Sequence, residues 1–180
     1  MALEIIDPTA TSRPASHDAS ATSPTLTSLR GLRVGLLENT KRNAAGVLAV
    51  IGQELRQHDG VAELTPMTKT NFALPLPDEM VEQIRQSCDA VIIGVGDCGS
   101  CSASAVADGI ILDALGIPSA VICTDAFEVT ANAMAKLKGR DDYAYIRTQH
   151  PIANLSAEQV DERGAELVDF VRAHLLRDES

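Results

Sequence analysis

"VIIGVGDCGSCSASAVADGIILDALGIP", residues 91–118, decides how this chain folds. With Ala90 before it, the opening run is apolar on both faces, the pattern of a strand in the middle of a parallel sheet. After Gly96 the period changes. Ala103, Val106, Ala107, Ile110, Ile111 and Leu115 recur at three-and-four spacing and predict a helix, which Gly116 and Pro118 end. A buried strand that turns at once into a helix is the unit of a parallel α/β sheet. The turn reads Asp97-Cys98-Gly99-Ser100-Cys101, so two thiols stand where the helix begins.

The same unit recurs outward from there. "LRVGLL" at 32–37 predicts a strand, and Asn43 a cap for a helix carrying Val47, Leu48, Ile51 and Leu55. "VAEL" at 61–64 is a weaker strand, followed by "TPMTKTNFALPLP", read as an irregular loop. Asp78 is the expected cap of a helix with Val81 and Ile84. "SAVICT" at 119–124 is a further strand, and Asp125 with Glu128 fits a capping box for a helix running to about Lys138. "YAYIRT" at 143–148 is the last strand. Ser156 with Gln159 is another capping box, opening a final helix to about Leu176. The expected fold is α/β: a three-layer Rossmann-like (flavodoxin-like) sandwich of about five parallel strands, in the order 2-1-3-4-5. Such sheets bind ligands at the carboxyl ends of their strands. That rule gathers the loops 38–43, 65–72, 97–101, 124–128 and 148–152, and puts the thiol pair at the crevice.

Composition bounds the function. The 180 residues suit one domain, expected over 29–180, behind a Ser-, Thr-, Ala- and Pro-rich tail over 1–28 that is expected to be disordered or loosely attached. A formal charge of −10, no Trp and 3% aromatic residues argue against nucleic acid, whose backbone repels such a surface and whose bases need stacking platforms. No eighteen-residue apolar run predicts a membrane span, and "MALEIIDPTA", with Glu4 and Asp7, does not read as a signal peptide. A cytoplasmic, reducing location is the expectation. Four cysteines are too few for a disulfide scaffold, so a close pair in such a chain favours redox, nucleophilic or metal chemistry.

A thiolate is the nucleophile, and a helix N-terminus favours the thiolate. Cys98, just before the helix, is the candidate nucleophile; Cys101, in its first turn, is the candidate resolving thiol. Gly99 permits a tight turn, and Ser100 can cap the helix or contact a substrate. The blander account is packing or a metal site, although structural zinc usually takes two such pairs. His150 is the only histidine in a crevice loop and the candidate acid/base, against a plain structural role in its loop. Cys98, Cys101 and His150 could also be three metal ligands. In the first loop, Asn39, Lys41 and Asn43 could hold a substrate carboxylate or phosphate, against capping by Asn43 and solvation of Lys41. Thr124 and Asp125 line the fourth loop, where Asp125 is most simply a helix cap. Phe127 either walls the pocket or packs on the sheet. Cys88 and Cys123 read as packing residues.

At Cys98-Gly-Ser-Cys101 the chain resembles the UGSC family, named for selenocysteine-Gly-Ser-Cys. "LGIPSAVICTDAF", "QHPIANLS" and "LENTKRNAAGVL" are similar to further family segments, so the resemblance runs roughly from Leu32 to Ser156. The family is related to the selenoprotein subunit of glycine, sarcosine and betaine reductases, in which the selenium motif takes part in reductive carbon–nitrogen cleavage. The resemblance implies a redox-active or nucleophilic group at Cys98 beside Cys101. Here a thiol, a weaker nucleophile than a selenol, stands at the first position. Two expectations follow. One is a cysteine-dependent enzyme acting on a small anionic metabolite: either a thiol oxidoreductase needing an external thiol reductant, or a non-redox lyase or hydrolase using Cys98 and His150. The other is a thiol-bearing subunit of a larger reductase-like complex. A homo-oligomer is expected too, because a five-stranded sheet often completes its pocket with a neighbour.

Overall fold

The computed structural model describes residues 25–176. Most of the expected tail, 1–28, lies outside them; of its last four residues, Leu26 packs against the core. Five strands, β1 (Arg33–Glu38), β2 (Glu63–Thr68), β3 (Ala90–Gly96), β4 (Ser119–Thr124) and β5 (Ile146–Thr148), form one sheet in the order β2-β1-β3-β4-β5. Every pairing is parallel. The helices are α1 (Ala44–His58), α2 (Asp78–Ser87), α3 (Gly99–Ala114), α4 (Glu128–Leu137) and α5 (Ala157–Leu175).

Side chains alternate across a strand, and β3 shows why the sheet needs two covers. Ala90 and Ile92 enter a core shared with Val47, Leu48 and Ile51 of α1 and Leu167 and Val171 of α5. Val91 and Ile93 enter the opposite core, with Ile84 of α2, Val106 and Ile110 of α3, and Ala131 of α4. Each fully buried Leu or Ile contributes about 1.5–3 kcal/mol relative to exposure. The β3–β4 register shifts between Ile93 and Gly96, so Val95 joins the face of Ile92.

Three expected boundaries are corrected. The second strand is not 61–64 but Glu63–Thr68, taking in the Thr-Pro-Met-Thr read as loop. As an edge strand it tolerates Pro66, whose missing N–H costs least there, and with Met67 its one fully buried residue it carries little apolar signal. Asp78 does not cap α2: Pro77 holds the N-cap position and Asp78 is the first helical residue. The last strand is only Ile146–Thr148, because 143–145 is irregular. The Ser156–Gln159 capping box is formed in both directions.

Candidate functional site

α1 leaves β1 toward one face of the sheet, whereas α3 leaves β3 toward the other. The sheet order reverses between these two strands, the switch point at which sheets of this class bind ligands beyond their carboxyl ends. Asn39 bridges the split: its Nδ2 donates to the Val95 carbonyl at 2.8 Å.

Cys98 is the N-cap of α3, in extended conformation, and its Sγ accepts the Cys101 N–H at 3.3 Å. The cap position is therefore filled by sulfur, not by Ser100, which is exposed with its Oγ 3.6 Å from Cys98 Sγ. Gly99 opens the helix without a positive φ, so no left-handed turn requires it. Cys98 and Cys101 form a disulfide. Cys98 is half-buried and Cys101 fully buried, so an incoming group meets Cys98 first. Cys88 and Cys123 are free and buried. Burial pushes the Cys88 thiol up and carries Cys123 to about 12, which keeps both as packing thiols. Gly96 lets α3 come this close to β4: a Cβ there would lie 2.7 Å from Cys123 Sγ and 2.8 Å from Ser102 Cα.

Asp97 connects the thiol pair to His150. Its carboxylate is 2.9 Å from His150 Nδ1, and it accepts the backbone N–H of Ile152 at 3.1 Å and of Ala153 at 3.0 Å. A carboxylate can only accept, so Nδ1 carries a proton, and in the neutral ring Nε2 has the lone pair. Thr124 Oγ1 donates to the Gly96 carbonyl and lies 3.3 Å from the same Nδ1. The ring meets Phe127 edge-on, centroids 5.3 Å apart. Its backbone N–H donates to Asp125 Oδ1 at 3.1 Å. Asp125 is thus a support for the fifth loop and not a helix cap: a 3₁₀ turn, Asp125–Phe127, intervenes before α4. Arg163 of α5 completes the support by donating to the Gln149 carbonyl at 2.7 Å.

Asn43 also departs from expectation. It sits at the N-cap of α1 with φ 71°, and its side chain makes no cap bond. Its Nδ2 instead donates to the carbonyls of Ile152 and Leu155, each at 2.9 Å, so that amide group is committed to the fifth loop rather than to a ligand. Lys41 turns toward the β2–α2 loop, its Nζ 5.5 Å over the Phe72 ring. The structure therefore joins Asp97, Thr124 and Asp125 around His150, and groups Cys98, Cys101 and Ser100 at the start of α3, directly after Asp97 in the chain. It places Asn39 and Asn43 on the facing loop and sets Lys41 against Phe72. Among the described residues no group of three His, Cys, Asp or Glu side chains is placed to hold a metal ion.

Two features escaped the sequence reading. Asp97 follows an all-apolar strand, and an acidic residue at that place is itself a signal that a partner must meet it. Lys69 is 3% exposed and paired with Asp108 of α3, its Nζ also donating to Ser104 Oγ at 2.6 Å. Asp108 Oδ1 accepts the Leu76 N–H at 2.9 Å, and Ser104 Oγ donates to the Leu74 carbonyl at 2.8 Å. Burial raises the Asp108 carboxyl above its usual range against the opposing pull of Lys69. This network fastens the β2–α2 loop onto α3 one and two turns beyond Cys101. Ser104 and Asp108, spaced four apart within an apolar helix, were the available sign.

The strand order, the parallel pairing and a Cys-Gly-Ser-Cys turn at the switch point, its two cysteines joined as a disulfide, define a flavodoxin-like α/β protein. The UGSC family model matches residues 4–177, and the chain belongs to that family. Among solved structures, the crystal structure of a flavodoxin-like domain from a Synechococcus sp. protein is similar over 76% of this chain and 92% of that one, with 18% identity and a TM-score of 0.38. No curated protein matches the chain. Among the described residues no helix is long and apolar enough to cross a membrane.

Proposed function

We propose that this protein is a thiol-dependent enzyme in which Cys98 acts on a small anionic metabolite at the β1/β3 crevice. The observation that carries the reading is the position of Cys98: its sulfur caps α3, accepts a helix N–H and is bonded to a buried second sulfur. In the reduced protein the same N–H and the helix dipole stabilise a thiolate.

The favoured reaction is reductive cleavage. The Cys98 thiolate and Cys101 thiol give up two electrons and one proton as the disulfide forms. The substrate's carbon–heteroatom bond takes up those electrons and that proton, giving C–H and the departing anion. An external dithiol then restores the pair and is itself oxidised. Asp97 and His150 favour a second reading: with Nδ1 held, Nε2 is free to move protons, as a non-redox lyase or hydrolase using Cys98 would need.

Substrate turnover with Cys101→Ser separates the two. Under the redox reading it stops after at most one event; under the non-redox reading it continues. A variant that turns over normally while Cys98→Ser does too rejects both. The subunit reading draws on the exposed Val129 and Leu137 of α4, which a partner or second copy would cover. Sedimentation of the purified chain tests it.

A further inference from the structure

Among the described residues three buried side-chain oxygens have no hydrogen-bond partner: Asn39 Oδ1, Thr65 Oγ1 and Ser102 Oγ. A hydroxyl can rotate to find a partner; an amide whose nitrogen is committed cannot. Asn39 is 4% exposed, and its Nδ2 is fixed on the Val95 carbonyl at 2.8 Å, so the orientation of Oδ1 is set. A buried acceptor left unmet is unfavourable by a factor of about ten to a hundred in an equilibrium constant. Native structures rarely keep such a group without a use.

The position of this acceptor narrows what it receives. It stands at the split between β1 and β3, where ligands of this fold bind. The residues after it are strained: Thr40 has φ 63° and Asn43 φ 71°, and the left-handed region is costly for a β-branched residue. Arg42 and Lys41, the latter lying over the Phe72 ring, occupy the same loop, and the N-termini of α1 and α3 follow β1 and β3 at this end of the sheet. Those cations and helix N-termini favour an anion and repel an ammonium group. Glu38, Asp97, Asp125 and Glu128, the acidic side chains of the crevice loops, are engaged with Thr40 N–H, His150 Nδ1, His150 N–H and Arg147.

We propose that Asn39 Oδ1 accepts a hydrogen bond from the hydroxyl of a small hydroxylated anion, a hydroxycarboxylate or hydroxyalkyl phosphate. Asn39 thereby selects substrates by a neutral O–H donor beside the anionic group. The inference rests on the reading of this crevice as a small-anion site.

Calorimetric titration of the full chain tests it with matched pairs: lactate against propionate, glycerol phosphate against propyl phosphate, and alanine as the ammonium analogue. The expected result is a preference of about tenfold or more for the hydroxylated member of one pair, which also tells carboxylate from phosphate. Alanine binds no better than propionate. In Asn39→Leu the preference collapses to near parity. Parity in both pairs for the unaltered protein, a preference for alanine, or a hydroxyl preference that survives Asn39→Leu overturns the proposal. The unaltered protein alone decides the first two outcomes, whatever the variant's stability. Failure of the thiol reading has a different signature: Cys98 of the reduced protein would then alkylate no faster than Cys88 or Cys123.

Discussion

Asp97→Asn is the substitution that most sharply probes the site. Asp97 is 7% exposed and accepts three hydrogen bonds, from His150 Nδ1 and from the N–H groups of Ile152 and Ala153. Bonds to an ionised group contribute about 1.5–3 kcal/mol each, against about 0.5–1.5 for neutral ones. Asparagine keeps one acceptor oxygen. If that oxygen remains with Ile152 and Ala153, two charged bonds become neutral and the third loses its acceptor, for a loss of about 3.5–6 kcal/mol before the ring finds a new partner. The new amide NH₂ then faces His150 Nδ1, and the ring answers by becoming the acceptor there and moving its proton to Nε2. Urea denaturation of the oxidised protein measures the first effect. Nitrogen chemical shifts of the His150 ring read the second. A stability change below about 0.5 kcal/mol, the size of an ordinary surface substitution, would refute the reasoning, as would retention of the Nδ1–H tautomer.

Other consequences are as direct. Lys69→Met leaves Asp108 buried without its cation and is expected to destabilise the protein by about 3–5 kcal/mol. The double variant Lys69→Met/Asp108→Leu recovers much of that loss in the same denaturation assay. Gly96→Ala drives a methyl against Cys123 Sγ and the Ser102 backbone and is expected to cost about 1–3 kcal/mol or more, read as a lowered melting temperature. Arg33 holds the Asp89 carboxyl below its ordinary value, chiefly through their hydrogen bond. A depressed carboxyl stabilises the fold above its unfolded pKa and loses that contribution as pH falls through the folded value. The stability difference between the unaltered protein and Arg33→Met should therefore be constant near neutrality, begin to shrink below roughly pH 4 and vanish only below the depressed folded value.

The parts of this fold written in local pattern were legible. β3 and β4 are uninterrupted apolar runs of the length a central strand needs, and the turn to α3 follows from the change of period after Gly96. The Ser156 box was readable because both of its bonds lie within four residues. What depended on distant partners was not. Asn43 and Asp125 looked like caps by position, yet each spends its side chain on the fifth loop, more than twenty residues away in sequence. Lys69 sits in a stretch that reads as polar loop, and only the three-dimensional fold brings Asp108 to it. β2 was displaced because an edge strand with one fully buried residue carries too few apolar residues to outweigh its proline. The thiol pair was located from sequence, whereas the loop that holds His150 against Asp97 became visible only in the structure.

The most direct measurement is alkylation of the fully reduced protein across pH, with each cysteine followed by mass spectrometry. A sulfur that caps α3 is expected to label first and to titrate well below the ordinary thiol value of about 8.5, while buried Cys88 and Cys123 stay unlabelled until the protein unfolds. Slow labelling of Cys98 with an ordinary thiol pKa would contradict the claim that this sulfur is held ionised at the mouth of the sheet.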